Sequence, residues 1–187
     1  MMNQKGFTLI ELIMTVVILG IISVVGAYLL MFVVQNSVFM PKKINADMIA
    51  LDALRLMIEG DAPAKGLRFS RAINTAQDNQ VDFNFFDNAD SLVKAKRFRL
   101  DTGTGKLYQS VAGGTETLVP YYLGSGLTLT GQSNKLFSYY DANESPTAVL
   151  ADIRRIQINL VVKSGSGSYS DWEGQSQQSS AIAVRVL

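Results

Sequence analysis

One carboxylate stands alone in a long apolar stretch. Between Phe7 and Val34 the chain reads FTLIELIMTVVILGIISVVGAYLLMFVV, and Glu11 is its only charged residue. An ionisable group in such a run costs about 2.5–3.5 kcal/mol at a helix centre on insertion scales, and less near the end. Glu11 either snorkels to an interface, stays protonated, or awaits a positive partner in low dielectric. The last reading fits the general rule that intramembrane charges are functional. The other chemistry-bearing groups form weaker patterns. With no Cys and no His, the chain lacks thiol nucleophiles, imidazole bases, Ser–His and Cys–His couples and most zinc ligand sets. Catalysis would have to rest on carboxylates, as in a glycosidase pair, and no spacing brings two of them together. We therefore expect no enzyme and no cofactor.

Two acidic groups, Asp78, Asp82, Asp87 and Asp90, then Asp141, Asn143 and Glu144, invite comparison with calcium loops. Calcium takes six to eight oxygens, and neither group has the twelve-residue spacing with its central glycine. They read as solvated turns, with no metal expected. A basic run, Lys94, Lys96, Arg97 and Arg99, joined by Arg154 and Arg155, could meet phosphates. In a strand, however, alternate residues face opposite ways. The run reads better as a solvated strand edge kept from aggregating by charge. The formal net charge of +1 adds no field that would steer the chain to nucleic acid. Tyr169 and Trp172, in the polar stretch SGSGSYSDWEGQSQQSS, are candidate partner contacts, because exposed aromatics supply binding hot spots. They could equally fold back onto the sheet.

The element that positions Glu11 is a helix. At about 1.5 Å per residue the apolar run spans roughly 40 Å, more than a bilayer core needs. No small-residue cleavage site follows it, so an ordinary secretory signal peptide fits badly. Lys5 precedes the run and Lys42–Lys43 follow it, which leaves the positive-inside rule little to act on.

Lys5-Gly6-Phe7-Thr8-Leu9-Ile10-Glu11-Leu12 resembles the prepilin signal of type IV pilins and of type II secretion pseudopilins. The resemblance implies a leader, residues 1–6, removed by a membrane peptidase that cuts between Gly6 and Phe7 and methylates the Phe7 amine. It also implies that Glu11 pairs with the Phe7 amine of a neighbouring subunit. The physics agrees, because a carboxylate and an ammonium meeting in low dielectric relieve each other's burial cost. Major pilins of that family often carry a proline within the apolar run. This chain has none before Pro41, which leans towards a minor subunit or pseudopilin.

Beyond the membrane the helical pattern continues. Ile44, Met48, Leu51, Leu54 or Arg55, and Ile58 recur at spacings of three and four, which predicts one packed face. Lys43 with Asp47 and Arg55 with Glu59 are i,i+4 pairs on the wet side. Pro41 predicts a kink or the point of emergence from the membrane. Gly60-Asp61-Ala62-Pro63 predicts the stop. After Gly66 the period becomes two. Strands are expected at Val81–Phe85, at Phe98–Leu100 turning through Gly103 and Gly105 into Lys106–Val111, and at Lys135–Tyr140. Ile156–Val162 and Ile182–Val186 complete the set, with residues 164–180 expected as a flexible polar loop. LFSYYDANE, DIRRIQINLVV, the polar loop and AVRVL are together similar to the C-terminal pattern of minor pseudopilins of the GspJ type and of PilW-like minor pilins.

The expected fold is α+β: a long N-terminal helix, half membrane and half soluble, packed on a mainly antiparallel β-sheet domain of pilin type. The expected organisation is residues 1–6 as cytoplasmic leader, 7–34 as the transmembrane half-helix, 35–60 as its soluble half and 61–187 as a β-rich domain. The expected function is a structural subunit, a minor pseudopilin or minor pilin of a secretion or pilus filament. Its partners would be other pilins or pseudopilins, the prepilin peptidase and an inner-membrane assembly platform. It would sit in the inner membrane as a single-pass protein, with the C-terminal domain in the periplasm or outside. The alternative is a tip adhesin or DNA-uptake minor pilin on the same anchor.

Overall fold

The computed structural model describes residues 8–119, 127–164 and 174–184, and the chain falls into two compact units, Met1–Met40 and Pro41–Leu187. One helix, α1, runs Leu9–Glu59 and supplies residues to both.

In the first unit α1 is apolar and exposed along its length. It is long and apolar enough to cross a membrane. Its Thr15, Ser23 and Ser37 hydroxyls fold back onto the helix. Thr15 donates to the Glu11 and Leu12 carbonyls, at 2.9 and 2.8 Å. Ser23 donates to Leu19 and Ser37 to Val34, at 2.7 and 2.8 Å. Polar groups satisfied within one helix are what a hydrocarbon environment demands.

In the second unit α1 continues through Pro41, whose missing N–H leaves the Ser37 carbonyl without its usual helical donor. The packed face matches the expected one only at Leu54 and at Ile58, which is partly buried against the core. Ala46, Ile49, Ala50, Ala53, Leu54 and Met57 are buried, whereas Ile44, Met48 and Leu51 are exposed and so is Arg55. Both stripes have spacings of three and four, so periodicity alone does not separate them. The alanines win because a short side chain lets a helix approach a sheet closely. Gly174 shows how closely: a Cβ there would lie 2.6 Å from the Lys43 nitrogen. Arg55 and Glu59 do pair, at 3.5 Å on the exposed side. The helix stops at Gly60, whose φ of 91° suits glycine at a helix C-terminus, and the Gly66 N–H donates to the Glu59 carbonyl at 2.9 Å.

After a short ribbon, β1 (Gly60–Asp61) with β2 (Ala64–Lys65), two antiparallel sheets follow. The first is a five-stranded meander of β3 (Ser70–Gln77), β4 (Gln80–Asp87), β5 (Leu92–Asp101), β6 (Lys106–Val111) and β7 (Thr117–Val119). The second has β10 (Arg155–Ser164) flanked on one side by β11 (Gly174–Ala183). On its other side lie β8 (Leu127–Gly131) and β9 (Phe137–Tyr140), each pairing with a different half of β10. Alternation sends Val81, Phe83 and Phe85 of β4 inwards beside Phe98 and Leu100 of β5, and Ile156, Ile158, Leu160 and Val162 of β10 inwards from the other sheet. The class is α+β, a long N-terminal helix followed by antiparallel sheets.

The β3–β4 turn ties the sheets together. The Leu136 and Phe137 N–H groups both donate to the Asp78 carbonyl at 2.9 Å, and the buried Tyr139 hydroxyl lies 2.9 Å from the Gln77 carbonyl and 3.1 Å from that of Gln80. Burial drives the Tyr139 hydroxyl strongly away from ionisation.

Several strand expectations need correction. Strand β9 starts at Phe137, and Lys135 makes only an isolated bridge to Gln132. Half of the supposed polar loop is strand, since Gly174–Ser180 belongs to β11. Its polar residues are tolerated because β11 lies at a sheet edge, with Gln175, Gln177 and Ser179 turned to solvent and Ser176 buried. Val184 lies just past that strand and Val186 outside the described residues.

Candidate assembly site

Thr8 and Glu11 open the helix together. Thr8 precedes the first helical residue, and its carbonyl accepts from the Glu11 and Leu12 N–H groups at 3.1 and 3.2 Å. Its hydroxyl oxygen lies 3.4 Å from the Glu11 nitrogen. Thr followed three residues later by Glu is the capping-box spacing, a signal legible in the sequence. It gives the carboxylate a local role as well, because an acidic group in the first turn meets the positive end of the helix macrodipole. Glu11 is exposed, and among the described residues no cation pairs with it. The expected processing residues Lys5, Gly6 and Phe7, and the aromatic pair Tyr169 and Trp172, lie outside the described residues.

The charged groups of the second unit are largely spoken for. Strand β5 is the central strand of its sheet, which corrects its expected place at an edge, and its cations meet carboxylates on neighbouring elements. Lys94 pairs with Asp87 at 2.7 Å and with Asp90. The hydrogen bond from Lys94, with the Ala89 N–H beside it, holds the Asp87 carboxyl below the usual carboxylate range. Arg97 grips Asp82 with two nitrogens, at 2.8 and 2.9 Å. Arg99 does the same to Glu116 and holds that carboxyl low. Arg155 reaches Glu144 at 3.1 Å and stacks over Tyr140. Lys94, Arg97 and Arg99 of the basic run thus form a cross-strand ladder of ion pairs.

The acidic turns organise backbone. Asp141 accepts from the Asn143 and Ser145 N–H groups at 2.8 and 2.9 Å. Asp101 accepts from the Gly103 N–H and the Thr104 hydroxyl, at 3.0 and 2.9 Å, and these bonds hold its carboxyl low. Among the described residues no group of acidic side chains is arranged to hold a metal ion.

Lys96 is the exception in the ladder. It is 1 % exposed on the inner face of β5, opposite Phe83 on one side and Val111 on the other. Its ammonium lies 4.9 Å from the Phe98 ring centroid and has no hydrogen-bond partner among the described residues. Burial pulls it down to about 8, against a small opposing pull from Asp61. No sequence signal marks it, because its neighbours Lys94, Arg97 and Arg99 look the same on the page.

Comparison with curated proteins and with solved structures returns no match. Residues 1–27 match the family model described as the prokaryotic N-terminal methylation motif, which is consistent with a type IV prepilin-like protein and with a substrate of prepilin peptidase.

Proposed function

We propose that this chain is a structural subunit of a type II secretion or type IV pilus-like filament, a minor pseudopilin or minor pilin. In this reading residues 1–6 are the leader, cleavage falls between Gly6 and Phe7, and residues 7–34 hold the protein in the inner membrane. The C-terminal unit then lies in the periplasm or outside, and Glu11 meets the methylated Phe7 amine of a neighbour at the assembly platform. The observation that carries it is Glu11 itself: an exposed carboxylate in the first turn of a capped apolar helix, with no cation beside it among the described residues. The exposed stripe of Ile44, Met48 and Leu51 supports the same reading, as an apolar surface for a neighbouring helix. The pairing of Arg97, Arg99 and Lys94 with carboxylates weighs against the DNA-uptake alternative.

The test has two parts. Intact-mass analysis of the native protein should show loss of residues 1–6 and one added methyl on Phe7. A mature chain that still begins at Met1 in a peptidase-positive host sinks the proposal. Glu11→Ala should leave cleavage intact and abolish incorporation. An uncompensated buried charge costs about 3–5 kcal/mol, two or more orders of magnitude in subunit affinity at roughly 1.4 kcal/mol per tenfold. Unchanged crosslinking of the variant to wild-type subunits would show that Glu11 does not set the register.

A further inference from the structure

A cavity of about 700 Å³ opens where the end of α1, the turn at Leu67–Phe69, the start of β3 and the last residues of β11 meet. Three cations line it, Lys65, Arg68 and Arg71, and among the described residues no carboxylate does. Among the described residues none of the three makes an ion pair, in contrast to the ladder on β5. Two are instead held by rings, and Lys65 also donates to the Asn88 side-chain oxygen at 3.2 Å. The Arg71 guanidinium lies 4.8 Å from the Phe86 centroid and the Lys65 ammonium 5.6 Å from that of Phe69. A cation on a ring face is oriented without being neutralised, so the cavity keeps positive charge for an incoming anion. Phe69 itself is 47 % exposed.

The opposite wall is an open sheet edge. Among the described residues strand β11 pairs only with β10, so half of its backbone groups meet no strand there. The phase can be read from β10. The Asn159 N–H donates to Leu136 and its carbonyl accepts from Gln132, both on the β8–β9 side. Asn159 and Ser179 are therefore a non-hydrogen-bonded pair in the antiparallel ladder. By the period of two, Ala181 and Ala183 also turn their N–H and C=O groups to the open edge, beside the cations. Their small side chains, exposed in the strand, offer no obstruction.

We propose that this cleft binds an extended acidic peptide segment of a partner protein. The segment would add as a strand to the Ser179–Ala183 edge, with alternate carboxylates at Arg68, Arg71 and Lys65. Backbone pairing along an edge gives affinity, and pockets for alternate side chains give specificity. The size of the cavity suits a few residues of peptide. The proposal concerns a surface separate from Glu11 and does not depend on the filament reading.

The test uses the full chain in non-ionic detergent and a positional-scanning hexapeptide library. We expect selection for Asp or Glu at alternate positions, and new hydrogen-exchange protection at the Ala181 and Ala183 amides when a selected peptide is bound. Arg71→Glu and Arg68→Glu should each weaken that peptide at least tenfold, while thermal unfolding of the variants matches wild type. Arg71→Gln, which keeps the length and loses the charge, serves where the glutamate variant fails to fold and should also weaken binding. No selection for acidic positions overturns the proposal, as does binding without protection at Ala181 and Ala183. Displacement of the peptide by inorganic phosphate at equal concentration would assign a small-anion site and overturn strand addition.

Discussion

Replacing Lys96 with methionine should stabilise the folded protein at neutral pH and remove one slope from its stability profile. Lys96 is buried beside Phe83, Phe98 and Val111, its ammonium has no hydrogen-bond partner among the described residues, and its folded pKa falls from 10.5 to about 8. A folded pKa below the unfolded one means that the unfolded chain holds the proton more tightly. Below the folded value both states are charged, and the full penalty, about 3 kcal/mol at 1.36 kcal/mol per unit, weighs on the fold. Between about 8 and 10.5 the folded state sheds its proton first, and stability rises with pH. The gain from pH 8 to pH 10 works out at about 2 kcal/mol. The window is clean at its lower end, because Asp87, Asp101 and Glu116 are held below the usual carboxylate range and titrate far below it. Above 10 Tyr139 opposes the trend. Its folded pKa is raised, so its contribution is present below 10 and is lost as the unfolded tyrosine ionises. The assay is urea denaturation of the full chain in detergent at pH 7, 8, 9 and 10, followed by far-ultraviolet circular dichroism. Wild type should gain stability up to pH 10. Lys96→Met, close in volume and with no charge to desolvate, should start higher at pH 7 by up to about 3 kcal/mol and show no such rise. A variant less stable than wild type at pH 7, or a wild type whose stability is flat from pH 8 to pH 10, would refute the reasoning.

Deleting residues 1–34 should give a water-soluble protein that unfolds cooperatively with a mixed α/β dichroism spectrum, because Pro41–Leu187 is compact with its own core. An aggregated or disordered product would count against that separation. On α1, Ala50→Leu should destabilise by about 1–3 kcal/mol through overpacking of a fully buried site. Ile44→Ser, on the exposed stripe, should leave denaturation unchanged within about 0.5 kcal/mol and reduce subunit crosslinking. Thermal unfolding and crosslinking of the two variants side by side separate the packed face from the free one.

The N-terminal methylation motif was open to reading from sequence because it is local. A glycine, an aromatic and one carboxylate fall between Gly6 and Glu11, at the head of one apolar run, and their meaning depends on the environment of a single helix. The α+β class was legible for a related reason: the hydrophobic period changes from three and four to two after Gly66, and strands such as Gln80–Asp87 and Arg155–Ser164 announce themselves by alternation. What the sequence left undecided is whatever depends on residues far apart in the chain. Two stripes of α1 have the same spacing, and only the approach of the sheets, with Gly174 against Lys43, buries the alanine one. The polar stretch at Gly174–Ser180 looks like a loop until the register with β10 makes it a strand. Lys96 is one of several similar cations until the pairing of β4, β5 and β6 turns it inwards between Phe83 and Val111. Its neighbours Arg97 and Arg99 face the other way, onto Asp82 and Glu116. Side-chain environment in a sheet is set by which strands meet and in which register, and that information belongs to the fold.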